Sequence, residues 1–215
     1  HLDKVLEYPN NKYSEDAMLM GAEMAYTAKD YEKALHIYKQ LKDKAASMER
    51  RQLAKTGMLR SAHMLGNEEE IIFTATDLLA DTKLAPELSN EAHYYRAKAY
   101  LDAGKTDGAM EDLKILAKDT RNVYGAEAKY KVAQIYFDGG QTDKAEQEVL
   151  NYIEVSTPHT YWLARSFVLL ADVYMKSGRN LDAKQYLLSL KQNYQADDDI
   201  AGMIESRLEK LKTEN

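Results

Sequence analysis

Five stretches of this 215-residue chain align with one another without a gap. They are Lys29-Asp30-Tyr31-Glu32-Lys33-Ala34, Gly66-Asn67-Glu68-Glu69-Glu70-Ile71, Gly104-Lys105-Thr106-Asp107-Gly108-Ala109, Gly140-Gln141-Thr142-Asp143-Lys144-Ala145 and Gly178-Arg179-Asn180-Leu181-Asp182-Ala183, and their last residues stand 37, 38, 36 and 38 positions apart. A period of this length restricts a chain to stacked supersecondary units, because each unit has an apolar face that only its neighbours can cover. Ahead of each stretch, apolar and small residues recur at helical spacing, as in Ala97, Tyr100 and Leu101, in Val132, Ala133 and Tyr136, and in Leu170, Ala171 and Tyr174. Behind it a second such set follows, as in Ala34, Tyr38 and Leu41 or Ala183, Leu187 and Leu190. Each unit is therefore expected to be a hairpin of two amphipathic helices.

The residue types at the turn have physical reasons. A helix commonly ends on one residue in the left-handed conformation, which suits glycine because it has no Cβ to clash. Lys29 takes that place in the first unit and is expected to cost its turn some stability. The alanine that closes four of the five stretches lets the second helix approach the first closely, and Ile71 implies a wider crossing in the second unit.

A small residue and tyrosine on the first helix, glycine at the turn, then alanine and closing apolar residues resemble the tetratricopeptide repeat (TPR) family over nearly the whole chain. The resemblance implies an all-α, right-handed superhelical α-solenoid of about five TPR-like helix hairpins plus a carboxyl-terminal capping helix. The usual period is about 34 residues. The longer units here are more similar to those of bacterial envelope proteins, the outer-membrane assembly lipoprotein and Tol-Pal coordinator families. The run Tyr8-Pro9-Asn10-Asn11-Lys12-Tyr13-Ser14-Glu15-Asp16-Ala17 is also similar to the connector those families use.

Three segments are expected: residues 1–13, the tail of a preceding repeat and its connector; residues 14–195, five hairpins in one continuous solenoid; and residues 196–215, the capping helix. Leu2, Val5 and Leu6 share one helical face before Pro9, so the chain is expected to begin inside a longer array. Ile200, Ile204, Leu208 and Leu211 form an apolar stripe among Glu205, Arg207, Glu209, Lys210 and Lys212, the pattern of a helix that closes an array. Pro86 and Pro158 are expected in connectors, where a missing amide hydrogen costs nothing.

Composition narrows the function. A formal net charge of −6 disfavours a nucleic-acid partner, since affinity for phosphates comes mainly from Lys and Arg. The chain has no cysteine, so disulfides, thiolate metal sites and cysteine nucleophiles are ruled out. Its apolar runs are far shorter than the roughly 20 residues a membrane helix needs, so no membrane insertion is expected. No phosphate-binding glycine loop is present, since the Gly139-Gly140 pair lacks its remaining elements, and His1, His36, His63, His93 and His159 include no pair at metal-ligand spacing. No cofactor, no metal and no enzymatic activity are expected. A periplasmic or envelope-associated location is favoured by the resemblance, with the cytoplasm as the alternative.

What remains is binding of a protein or peptide. Tyr38, Tyr100, Tyr136 and Tyr174 occupy repeat positions that face the partner helix and are expected to be core. In TPR arrays the first helices line the concave face. Here the resemblance places five pairs there, each seven residues apart: Leu19 and Tyr26, Thr56 and His63, Tyr94 and Leu101, Tyr130 and Phe137, Val168 and Met175. Glu23, Arg60, Lys98, Gln134 and Asp172 stand between the members. Two readings of this stripe are open: packing between neighbouring first helices, or a peptide groove with aromatic anchors and central charges that set register. On the second reading the partner-binding residues are Tyr26, Arg60, His63, Tyr94, Lys98, Leu101, Tyr130, Gln134 and Phe137. An architectural spacer without a ligand of its own is the alternative function.

Overall fold

The structure, a computed structural model, describes residues 14–213. The segment read as the tail of a preceding repeat, with Leu2, Val5 and Leu6, lies outside the described residues, as do the last two positions of the capping segment. The described residues form eleven helices and no strand. They are α1 (Ser14–Thr27), α2 (Tyr31–Lys44), α3 (Met48–Leu65), α4 (Glu68–Leu79), α5 (Pro86–Asp102), α6 (Thr106–Leu116), α7 (Val123–Asp138), α8 (Thr142–Ile153), α9 (Thr160–Lys176), α10 (Asn180–Asn193) and α11 (Ile200–Thr213). Pro86, expected in a connector, instead opens α5, a first-turn position whose amide has no partner within the helix.

The five repeated stretches are five copies of one backbone device. Lys29, Gly66, Gly104, Gly140 and Gly178 all have positive φ, from 63° to 73°. At each, the next N–H donates to the carbonyl five positions earlier: Asp30 to Ala25, Asn67 to Ala62, Lys105 to Tyr100, Gln141 to Tyr136 and Arg179 to Tyr174, at 2.7–3.1 Å. The bond satisfies a carbonyl that the helix end would otherwise leave open, and the reversed chain runs straight into the next helix. Lys29 is the one residue with a Cβ among them, and the left-handed region costs such a residue about 1 kcal/mol or somewhat more. Lys29→Gly is therefore expected to stabilise the protein by roughly 0.5–1 kcal/mol, read as a raised urea midpoint. A lowered midpoint would show that the lysine side chain contributes more than its strained backbone loses.

Packing divides the chain into two compact units, His1–Ala109 and Met110–Asn215, with the boundary inside α6. In the first unit Met18, Ala22, Tyr38, Leu41, Ala54 and Met58 form one core, and Leu59, Ala62, Ile71, Ala75, Leu78 and Ala92 another. In the second, Val149, Val168, Leu170, Tyr174 and Leu187 are joined by the whole apolar stripe of α11, Ile200, Ile204, Leu208 and Leu211. The residues that close the repeated stretches, Ala34, Ile71, Ala109, Ala145 and Ala183, are all buried. So are Tyr38 and Tyr174, whereas Tyr100 and Tyr136 are only partly buried. The Lys114 and Lys144 ammonium groups lie over the Tyr136 ring, 5.6 and 5.4 Å from its centre.

Candidate functional site

A cleft of about 400 Å³ opens in the first unit among α1, α2 and α3. Five residues of the sequence stripe come together in its wall: Leu19, Glu23 and Tyr26 from α1, Thr56 and Arg60 from α3. Tyr38, from α2, is also in the lining, and so is Gly57. The close approach of Tyr38 to α3 requires that glycine: a Cβ there would lie 2.3 Å from Cζ of the ring. Burial, followed by the Glu23 carboxylate, raises the Tyr38 pKa. Tyr26 packs edge-on against Tyr31 at 5.2 Å, and burial, followed by Tyr31, raises its pKa.

The cleft's polar groups suit recognition better than catalysis. The Thr27 and Thr56 hydroxyls each donate to a carbonyl one helical turn back, Glu23 O and Gln52 O, at 2.8 Å. Neither hydroxyl proton is held by a base that could activate the oxygen. Arg60 donates from Nε and from Nη2 to the two carboxylate oxygens of Glu91 on α5, at 2.7 and 2.8 Å. Such a two-pronged pair is the strong, geometrically fixed kind, and Arg60 therefore ties α3 to α5 instead of standing free to set a ligand's register.

Beyond Arg60, His63 stacks on Tyr95 with ring centres 4.1 Å apart. Burial and then the Lys98 ammonium lower its pKa, so the neutral ring is favoured. Tyr94 lies beside Tyr95, and Lys98 Nζ sits 5.6 Å from the centre of the Tyr94 ring. Leu101 is partly buried. None of His63, Tyr94, Lys98 and Leu101 belongs to the lining of the cleft.

In the second unit the stripe residues are arranged differently. Tyr130 is 6% exposed, with its ring against Trp162 and the Arg165 guanidinium 5.1 Å from its centre. Its hydroxyl donates to Gln134 Oε1 at 2.7 Å and accepts from Arg165 Nη2 at 3.3 Å, and Gln134 Nε2 passes the chain on to Asp138 at 2.9 Å. Tyr130 and Gln134 thus face each other and Arg165. Phe137 carries the Lys176 ammonium at 4.9 Å. Asp172, the central charge of α9, forms a two-pronged pair with Arg207 of α11, both bonds at 2.7 Å.

The sequence stripe missed Tyr38 as a wall of the cleft, Tyr95 as the partner of His63, and Tyr161, Trp162 and Arg165 around Tyr130. A signal existed for Tyr161, which precedes Val168 by the same seven residues that separate Val168 from Met175. Tyr38 gave none, since its repeat position is that of a core residue. Among the described residues no group of three or more His, Cys, Asp or Glu could hold a metal ion, and no helix is long and apolar enough to cross a membrane.

Residues 91–119 match the tetratricopeptide repeat family. No curated protein matches the chain by sequence. Solved structures do match it by shape. The crystal structure of MamA protein superposes with a TM-score of 0.66 at 16% identity, covering 86% of this chain and 98% of that one. That of YrrB, described as a TPR protein with an unusual peptide-binding site, does so with a TM-score of 0.65 at 16% identity, covering 95% and 97%. BtubC from P. vanneervenii gives 0.58 at 13% identity, covering 85% and 83%. The chain therefore has the helical-repeat fold of tetratricopeptide repeat proteins and contains a recognisable tetratricopeptide repeat at residues 91–119.

Proposed function

We infer that the chain is a non-enzymatic interaction scaffold that holds an extended polypeptide along the face of α1, α3 and α5, with the cleft beside Tyr26 as the anchor point. The cleft carries this reading: it is open, walled by two tyrosines, and sized for one or two large side chains and not for a folded partner. Buried aromatic-lined pockets are where peptide and protein partners place the few residues that dominate affinity. The fold shared with YrrB, which is described as having a peptide-binding site, supports the same reading. The similarity of the long units to envelope TPR families favours a bacterial periplasmic or envelope setting.

The test is selection of a displayed library of random dodecapeptides on the full chain, followed by affinity measurement on Tyr26→Ala. Tyr26 is only partly buried, so its truncation is expected to leave the helical circular dichroism intact while weakening selected peptides by about tenfold or more. Peptides that bind the variant equally well would move the binding site off this face. The architectural-spacer alternative draws on Met20 and Met24, which lie one turn apart on α1 and are 58% and 59% exposed. It gains if no peptide is selected.

A further inference from the structure

On that reading of the cleft, the charges that surround it say what kind of side chain it takes. Two charged groups line it, Glu23 and Arg60. Arg60 is paired through Nε and Nη2 with both oxygens of Glu91, which balances its charge. The Glu23 carboxylate has no ion pair and accepts no hydrogen bond among the described residues; only its backbone carbonyl is engaged, by Thr27. It is exposed at the mouth, next to the rings of Tyr26 and Tyr38. The Tyr38 pKa registers that carboxylate as its largest influence after burial. An exposed carboxylate without an ion pair attracts a cation, and the two tyrosine rings beside it give the stem of an arginine or lysine apolar contact. An acidic side chain would meet the reverse. A neutral apolar one would gain contact with the rings but leave the carboxylate to be desolvated without a partner.

We propose that the cleft among α1, α2 and α3 is a specificity pocket for a basic side chain, arginine or lysine, of an extended peptide, with Glu23 as the charge partner and Tyr26 and Tyr38 as the aromatic walls. The pocket sets sequence preference, whereas the rest of the face supplies contact area. Removing the charge while keeping the shape therefore changes which peptides bind more than it changes whether peptides bind.

The same dodecapeptide library, selected on the full chain, on Glu23→Gln and on Glu23→Lys, tests this. Glu23 is exposed, so both variants are expected to retain the parent's circular dichroism and urea midpoint. Arginine or lysine is expected to be enriched at one position among peptides selected on the parent. The best such peptide should bind Glu23→Gln about two- to fivefold more weakly, the size of a partly exposed ion pair, since the aromatic walls stay in place. Selection on Glu23→Lys should favour an acidic residue at that position. Peptides that depend on Tyr26 but show no basic preference, or that bind Glu23→Gln as well as the parent, would overturn the specificity assignment and leave the binding face standing. Peptides indifferent to both Tyr26 and Glu23, or no selected peptide at all, would overturn both.

Discussion

Gly125→Ala is expected to destabilise the second unit by about 3 kcal/mol or more, at or beyond the upper end of the usual cost of overpacking. An ideal Cβ on Gly125 would lie 2.0 Å from the backbone oxygen of Asp119 and 2.7 Å from that of Leu116. Both obstacles are main chain, so no rotamer change relieves the clash. The connector between α6 and α7 would have to move, and it is pinned: Asn122 Nδ2 donates to the Asp119 carbonyl at 2.8 Å while Asn122 Oδ1 accepts from the Gly125 amide at 2.9 Å. The next residue is fixed as well, since the Thr157 hydroxyl donates to the Thr120 carbonyl at 2.8 Å. Alanine is the better helix former by about 1 kcal/mol, which offsets only part of the loss. Urea denaturation followed by circular dichroism measures the outcome. A midpoint equal to or above that of the parent would show that α7 can tilt away from the connector at little cost.

Gly125 also shows what a linear reading of the chain can and cannot reach. The turns were legible because their determinant is local. A left-handed residue, the closing bond to the carbonyl five positions back and a small residue on the next helix all fall within about ten residues, and all five copies have the same geometry. The stripe of α11 was legible for the same reason, since four apolar residues at three- and four-residue spacing define a face without reference to anything else. Gly125 and Gly57 sit inside helices, where sequence alone records a weak helix former and not the close neighbour that demands it.

The binding face was half legible. Periodicity within one helix put Leu19, Glu23 and Tyr26 on a common side, and Thr56 and Arg60 on another, and the structure brings these into one cleft. Periodicity does not set how one helix is displaced along its neighbour, so it could not reveal that Arg60 meets Glu91 and Asp172 meets Arg207. Two of the four central charges are thereby tied in ion pairs to residues 31 and 35 positions further along the chain. Nor could it show that Trp162 and Arg165 cover the Tyr130 ring. The charge pattern that remains around the cleft after Arg60 is paired is what gives Glu23 its role.

Gly57→Ala is expected to lower stability by about 1–3 kcal/mol and, in the same step, to close the cleft. The added Cβ would lie 2.3, 2.4 and 2.5 Å from Cζ, Cε1 and Cε2 of Tyr38, so ring and methyl cannot share the space. Here, unlike at Gly125, the obstacle is the outer part of a side chain, and on one side of it lies the cleft. The ring can turn into that opening, which limits the energetic cost but fills the space a peptide side chain would occupy. A double-mutant cycle with Tyr38→Ala separates the two effects. With the ring gone, Gly57→Ala is expected to be neutral or stabilising by up to about 1 kcal/mol, the gain in helix propensity. A cost that persists without the ring would place the conflict elsewhere in α3. Because Gly57 also lines the cleft, a loss of peptide affinity in Gly57→Ala that the same substitution does not cause in the Tyr38→Ala background would tie binding to the open position of Tyr38. Unchanged affinity would show that the ring yields in another direction and that the cleft keeps its volume.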